Sequence, residues 1–179
     1  MNRKMKKLNF TLIEVTVAFG VLAILIMFLM QFMTTAQTSW NFAEKRARAY
    51  ADSRIFFDLA ERVIQSNNQK EFTVNSSNDG FSVTGLKPFG AEIVVQKMDF
   101  KLSSGELKIE YEPKIEDEPI ICNVVNFYVH KNETDKVIVM VVKMFGSDAD
   151  YENYLVETDK DKYFGEHGFI FTRVINLNE

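Results

Sequence analysis

The apolar run FTLIEVTVAFGVLAILIMFLMQFM at residues 10–33 sets the architecture of this chain. Glu14 is the one charged residue among these 24. A helix of this length rises about 36 Å, which is enough to cross the hydrocarbon core of a bilayer. The apolar part of a cleaved signal peptide is usually about 7–15 residues long. The run therefore predicts a membrane-spanning helix that stays attached, and cleavage after the small residues at 34–36 is the alternative.

Charge is distributed unevenly around this run. Four basic residues lie within the first nine positions, whereas all 25 acidic residues follow them. Because flanking Lys and Arg stay on the cytoplasmic side of a membrane, this pattern predicts a cytoplasmic N-terminus and an exported acidic remainder. No second basic stripe follows, so nucleic acid is not a predicted partner. Cys122 is the single cysteine, so an exported domain would be stabilised by its core without an intrachain disulfide.

Glu14 is unusual because a carboxylate inside a bilayer is costly and is commonly functional. One interpretation is that its side chain reaches the headgroups, since it lies about 6 Å along the helix from Phe10. The other is that it pairs with a cation inside the apolar region. Cleavage before Phe10 would create such a cation, because the new α-amino group would lie about one helical turn from Glu14.

The string NFTLIEV at residues 9–15 resembles the cleavage and methylation signal of type IV prepilins and pseudopilins. KMKKL precedes the string and TVAFGVLAIL follows it, as in that family. The resemblance implies that a prepilin peptidase removes the basic leader 1–9 by cutting between Asn9 and Phe10. It also implies that Phe10 is N-methylated and that Glu14 pairs with the terminal amine of a neighbouring subunit during filament assembly.

Two positions differ from the usual pattern of the family. Asn9 replaces the Gly that normally precedes the cut; Asn is among the residues that best tolerate backbone conformations favoured by Gly, so we still expect cleavage. Gln31 stands where the major subunits commonly have Pro, so we expect no proline kink in the helix.

The resemblance therefore implies a minor pilin or minor pseudopilin in the bacterial inner membrane, with its C-terminal domain exported and a periplasmic filament after assembly. Its partners would be other pilin subunits, the peptidase and the membrane.

The helical pattern continues over 34–66, because residues 34–65 contain no Gly or Pro. Apolar residues recur on one face, which predicts a helix packed on a sheet rather than a separate coiled coil. Charged residues between them, Lys45 among them, are predicted to face solvent or an interface. The predicted apolar face consists of Ala36, Trp40, Ala43, Ala47, Tyr50, Phe56, Leu59, Ala60 and Val63.

From residue 67 onward, short runs rich in Val, Ile, Phe and Tyr alternate with turn signals, which is typical of β-strands. KLSSGELKIEYE at 101–112 predicts a hairpin. The nearly apolar DKVIVMVVKMF at 135–145 predicts a central strand, buried on both sides or against the helix. The predicted fold class is α+β: a long N-terminal helix, membrane-spanning in its first half, packed on an antiparallel β-sheet. The predicted organisation is leader 1–9, transmembrane helix 10–33, amphipathic helix 34–66 and exported β-rich part 67–179.

Few residues suggest catalytic or metal chemistry. His130 and His167 lack a second His or Cys at ligand spacing, and Cys122, within an apolar run, is predicted to be a small buried residue rather than a nucleophile. The acidic stretches GSDADYE and ETDKDKYFG suggest Ca²⁺ ligands, but neither has EF-hand spacing, so solvated loops are predicted. With no phosphate-binding or hydrolase motif, we predict no cofactor, no metal and no enzymatic activity.

Two functional classes therefore remain open. The first is a non-enzymatic filament subunit used in secretion, adhesion, motility or DNA uptake. The second is a signal-anchored exported protein whose β-rich domain binds a ligand or performs chemistry. Glu14 distinguishes them, because a simple membrane anchor gains nothing from a carboxylate in its apolar run.

Overall fold

The computed structural model describes residues 11–66, 72–89, 92–112, 118–132, 134 and 136–176. The chain divides into two compact units, Met1–Ala43 and Glu44–Glu179. The elements follow in this order: α1 (Leu12–Ser66), β1 (Phe72–Val74), β2 (Gly80–Phe89), β3 (Glu92–Ser103), β4 (Glu106–Glu112), β5 (Glu118–Ile121), β6 (Val124–Asn132), β7 (Val137–Met144), α2 (Asp148–Val156), α3 (Lys160–His167) and β8 (Phe169–Asn176).

Helix α1 runs without interruption through the two helical segments predicted at 10–33 and 34–66, beginning at Leu12 and ending at Ser66, where a polar cluster begins. Its apolar side chains from Leu12 to Met33 are exposed. By length and composition α1 is able to cross a membrane. A helix that is apolar on all sides and unburied within its own chain is typical of one surrounded by lipid or by other helices.

The strands form two antiparallel sheets, which confirms the α+β class. The first, sheet A, has the order β1-β2-β3-β4-β5, and the second, sheet B, has the order β6-β7-β8. The apolar run that contains Cys122 does not form one strand, because the chain breaks at Cys122 and Asn123, between β5 and β6. Asn123 has φ 61°, a left-handed conformation that Asn tolerates better than most residues. This turn separates β5 in sheet A from β6 in sheet B.

The core lies between the second half of α1 and the two sheets. The buried face of α1 is formed by Ala49, Ser53, Phe56, Phe57, Ala60 and Ile64. The predicted face was therefore correct at Phe56 and Ala60 but wrong at its start, since Trp40 is 75% exposed and Tyr50 is 57% exposed. The buried face is the one that carries the Phe pair, because burial of large aromatic rings contributes more than burial of alanines.

The hairpin and the central strand form as predicted. β3 pairs with β4 through Leu102↔Leu107 and Ser103↔Glu106. Ser104 and Gly105 between them have φ 52° and 80°, which are the positive values that a tight two-residue hairpin turn requires. β7 is the middle strand of sheet B and is fully buried on one face only.

The acidic stretches predicted as loops are helices. Ser147 caps α2, where its side chain accepts a hydrogen bond from the backbone N–H of Asp150, and Asp159 caps α3 by accepting from the N–H of Lys162. Ser and Asp are preferred at this position because their oxygens satisfy N–H groups that the first helical turn leaves unpaired. Several of these polar residues thus start helices.

Candidate functional site

Glu14 lies in the first turn of α1 and is bound to Thr11. The backbone N–H of Thr11 donates to Glu14 Oε2 (2.9 Å), and the Thr11 hydroxyl donates to the same oxygen (3.0 Å). In return, the N–H of Glu14 donates to Thr11 Oγ1 (3.3 Å). This reciprocal arrangement is a capping box, with Thr11 as the cap and Glu14 three residues later.

The capping box gives Glu14 a local role that our sequence interpretation missed. The signal was present as T-L-I-E at 11–14, because Ser or Thr followed three residues later by Glu is typical of a helix start. The carboxylate also lies near the positive end of the helix dipole, which favours a negative charge there. Glu14 is nevertheless exposed, and Thr11 donates both hydrogen bonds to the same carboxylate oxygen, Oε2. The other oxygen, Oε1, takes no hydrogen bond from the described residues.

Asn9 and Phe10, the predicted cleavage-site and methylation residues, lie outside the described residues. Their predicted roles therefore stay predictions. The structure places Thr11, the second residue after the predicted cut, immediately before α1, which begins at Leu12.

Threonine hydroxyls along the apolar part of α1 are satisfied within the helix. Thr16 donates to the carbonyl of Leu12 (2.6 Å), and Thr34 and Thr35 both donate to the carbonyl of Gln31 (2.9 Å each). Such bonds let hydroxyl groups enter an apolar environment with little desolvation penalty. Glu14 is the one charged side chain among the described residues 11–33 of this helix.

A second polar cluster joins α2 to α1 within the second unit. Lys45 Nζ lies 2.8 Å from Asp150 Oδ2 and 3.0 Å from Oδ1, and the Ser147 hydroxyl donates to Oδ2 (2.7 Å). Asp150 is only 6% exposed. Of the two predicted environments for Lys45, solvent or an interface, the structure shows the interface: the side chain is half-buried against α2 because a buried carboxylate requires a compensating charge.

The surroundings of Asp150 set its protonation. Burial by itself would raise the pKa of Asp150, but hydrogen bonds from Lys45 and Ser147 and the charges of Lys45 and His167 lower it below its ordinary value of 3.8. A carboxyl whose pKa is lower in the folded state stabilises the fold above its unfolded pKa. That contribution is lost as the pH falls through the folded pKa.

Asp150→Asn is therefore expected to lower the free energy of unfolding by about 1–3 kcal/mol at neutral pH, because Lys45 loses its charged partner. The difference between wild type and variant should shrink as the pH falls from about 4 through the folded pKa of Asp150. Urea unfolding of both proteins from pH 7 down to pH 2.5 measures it. A difference that stays constant with pH would show that the ion pair does not contribute.

Other acids of this region also have structural partners. Asn123 donates from its side-chain nitrogen to Asp148 (2.7 Å), and Asp159 is the cap of α3. Within the described ranges no three His, Cys, Asp or Glu side chains are grouped as a metal site would require. Asp159 therefore caps a helix, and Asp148 joins α2 to the turn before β6.

Cys122 is exposed, so the expectation of a buried thiol was wrong. It lies in the break between β5 and β6, where a strand pattern alone does not show that the chain turns. Partial burial and then the charges of Glu106, Asp148 and Asp52 raise the pKa of its thiol. A raised pKa keeps the thiol protonated and lowers its reactivity as a nucleophile.

In the part of the chain that the structure describes, neither His130 nor His167 forms a hydrogen bond or ion pair with Asp150. His130 is exposed on β6 and stacks beside Tyr128, with ring centroids 6.5 Å apart. His167 ends α3, where its ring packs against Tyr163 at 4.6 Å. The C-terminal end of a helix carries the negative end of the helix dipole, which stabilises a positive charge there. A protonated His167 would interact favourably with α3 in this way.

Comparison of the chain with family models, with characterised proteins and with solved structures gave no significant match.

Proposed function

We propose that this protein is a non-enzymatic structural subunit of a filament, of the minor pilin or minor pseudopilin kind. The observation that carries the proposal is the first part of α1: an apolar helix, exposed along its length, that begins with a carboxylate. A membrane anchor needs the apolar surface alone. A subunit that leaves the membrane to join a helical bundle needs the same surface and also a means of setting its position along the bundle.

Glu14 supplies that means in the proposal. Thr11 occupies one carboxylate oxygen and leaves Oε1 without a described partner, so it can accept from the methylated Phe10 amine of a neighbouring subunit. Burying both charges offsets much of their attraction, so the pair adds little net stability. A subunit in the wrong axial position would instead bury an unpaired carboxylate, at a penalty of about 3–5 kcal/mol. The pair therefore acts mainly on register.

The proposed location follows from the same helix. The segment 10–33 spans the bacterial inner membrane, the basic residues before it stay in the cytoplasm, and the β-rich part is exported. After processing, the subunit enters a periplasmic filament through its apolar helix. The proposed partners are other pilin subunits and the prepilin peptidase.

Removing the charge of Glu14 is expected to abolish most incorporation into filaments. Glu14→Gln is the sharpest variant, because Gln retains the capping role of Glu but carries no charge. Glu14→Ala should have the same effect, Glu14→Asp should retain part of the incorporation, and none should reduce membrane insertion. The measurement is the fraction of protein recovered with sheared filaments relative to the fraction left in membranes.

Thr11→Ala is the matched control for these variants. It removes the threonine hydroxyl from the capping box, at about 1 kcal/mol of local helix stability, but leaves the carboxylate charged. We expect this variant to assemble. If it failed as Glu14→Gln does, Glu14 would act through the cap; if Glu14→Gln assembled normally, the charge would be irrelevant and a signal-anchored protein would be the better interpretation.

Processing is the second test of the proposal. The mature protein is expected to lack residues 1–9 and to carry a methyl group on the Phe10 amine. Asn9→Gly should be cleaved faster, because Gly reaches the required extended or strained backbone more readily. Intact-mass measurement of membrane-extracted protein, with a pulse–chase comparison of wild type and Asn9→Gly, checks both statements. A mature mass that retains the nine residues would contradict them.

A further inference from the structure

The edges of the two sheets are protected to different degrees. β1 has three residues, and β5 has four, including Pro119, with an irregular register beside it. The β6 edge is bonded to sheet A: the N–H of Val124 donates to the carbonyl of Gly105, and the N–H of Val129 donates to that of Asn78 (2.8 Å each). Short strands, prolines, irregularities and coverage are the usual means of preventing strand addition.

β8 has none of these protections among the described residues. Its eight residues pair with β7 without interruption, from Phe169↔Met144 to Asn176↔Val137. From Ile170 to Ile175, the described residues form no backbone bond with the other side of the strand. Ile170 and Val174 are 57% and 54% exposed. An exposed, apolar and regular edge of this length is a template for another strand.

The one charge in β8 does not protect the edge, because it is already paired. Arg173 lies 2.5 Å from Glu61 and 3.8 Å from Asp58, both on α1. The hydrogen bonds and charge of Glu61 raise the pKa of the guanidinium. An edge strand is often protected by an inward-pointing charge that would be left unpaired when a second strand binds. Here Arg173 would keep its partners on α1 when a second strand binds to β8.

We propose that β8 pairs antiparallel with β8 of a second copy of this chain, around a two-fold axis at Thr172. The strand is its own antiparallel complement in this register. Ile170 lies opposite Val174 of the second copy, Phe171 opposite Arg173, and Thr172 opposite Thr172. Apolar residues therefore meet apolar residues on the exposed face, and each arginine meets an aromatic ring rather than another cation. The two copies of sheet B become one six-stranded sheet.

A second copy fits this edge better than an unrelated strand because of the symmetry of the pattern. A two-fold contact uses the same surface on both chains, so each residue of the strand must suit the residue at the mirrored position of the same strand. Phe169 and Ile175, both buried, would also lie opposite each other across the axis. The inference does not depend on the proposed filament function, since it rests on unit Glu44–Glu179 alone.

Disulfide trapping in membranes that contain the full chain tests the proposed register. In a Cys122→Ser background, Thr172→Cys places two thiols directly opposite each other, with Cα atoms about 4.5–5.5 Å apart, inside the disulfide range of about 4.4–6.8 Å. Mild oxidation should give a covalent homodimer. Ile170→Cys alone or Val174→Cys alone should give little, because each thiol would be about 13 Å along the strand from its copy. Co-expressed Ile170→Cys and Val174→Cys chains should cross-link to each other.

Glu152→Cys, on the exposed surface of α2, measures random collision. The proposal is overturned if Glu152→Cys cross-links as efficiently as Thr172→Cys, if Thr172→Cys gives no dimer, or if its product contains a different protein. As a second test, Val174→Lys in the Thr172→Cys chain should reduce the dimer yield about tenfold, because it places a charge on the edge. Val156→Lys, at an 83% exposed position on α2, should leave the yield unchanged. Equal yields for the two lysine variants would also overturn the proposal.

Discussion

Phe56→Ala is expected to lower the free energy of unfolding of the second unit by about 3–5 kcal/mol, the usual cost of truncating a buried Phe. Phe56 is fully buried on α1. Its ring meets Phe127 of sheet B edge-on at 5.2 Å and Phe100 of sheet A edge-on at 6.4 Å. One side chain therefore packs the helix against both sheets.

The effect should exceed that of a typical core truncation because the neighbouring rings also pack on one another. Phe100 stacks on Phe81 with centroids 4.4 Å apart, and Phe81 lies 6.3 Å from Phe127. Aromatic pairs contribute about 0.5–1.5 kcal/mol beyond the area they bury. A cavity at Phe56 would weaken the contacts that join α1 to both sheets. Because the core is closely packed, the neighbouring side chains have little freedom to move into the cavity.

Ile55→Ala is the matched control, because Ile55 is the preceding residue on the same helix but is 59% exposed. It should change the free energy of unfolding by about 0.5 kcal/mol or less. A soluble fragment that begins at Gln37 is expected to fold alone, since the buried core residues of the part of the chain that the structure describes lie between Ala49 and Ile175. The Tm values of the two variants should differ by on the order of 10 °C in thermal unfolding. Urea unfolding measures the difference in the free energy of unfolding. Equal effects would contradict the placement of the helix on the sheets.

Gly146→Ala is expected to destabilise the same unit by about 1–3 kcal/mol or more, through overpacking. A Cβ on Gly146 would lie 2.0 Å from the carbonyl oxygen of Lys45 and 2.6 Å from its carbonyl carbon. Both are backbone atoms of α1, so no side-chain rotation relieves the overlap. The segment before α2 would have to move away from the helix, which would also separate Lys45 from Asp150.

Gly165→Ala provides the opposite control within the neighbouring helix. A Cβ at Gly165 meets nothing within 4 Å, and the residue lies inside α3. Alanine should stabilise this helix by about 0.5–1 kcal/mol, because Gly is the weaker helix former. Urea unfolding measures both changes, and limited proteolysis should cut Gly146→Ala faster in segment 145–168. Similar stability of the two variants would show that the close approach to Lys45 is absent.

Much of the fold was predictable because it depends on neighbours in the sequence. The length of α1 follows from an apolar run and the absence of Gly and Pro, and helical hydrogen bonds join residues only four positions apart. The β3–β4 hairpin follows from Ser104-Gly105, which permits the positive φ values of a tight turn. The Thr11–Glu14 cap is equally local, so a motif search finds it. These features have their causes within a few residues.

The candidate sites also differ in how much of each can be predicted from neighbouring residues in the sequence. The resemblance of NFTLIEV to prepilin signals implies cleavage before Phe10 and an assembly role for Glu14, and those predictions need no tertiary information. The ion pair of Lys45 with Asp150 joins residues 105 positions apart, and nothing near Lys45 in the sequence shows that it will be half-buried. Cys122 lies within a strand-like pattern, yet the chain turns there and exposes it.

The kinds of element in this protein, a long N-terminal helix followed by antiparallel strands, could be read from the sequence alone. The tertiary structure was needed to show that Trp40 and Tyr50 lie outside the buried face of α1 and that the strands form two sheets. It was also needed to show that, among the described residues, no strand pairs with the outer edge of β8. The physical reason is the range of the interactions. Hydrogen bonds within a helix or tight turn depend on adjacent residues, whereas burial and strand order depend on which arrangement of the whole chain removes the most apolar surface from water.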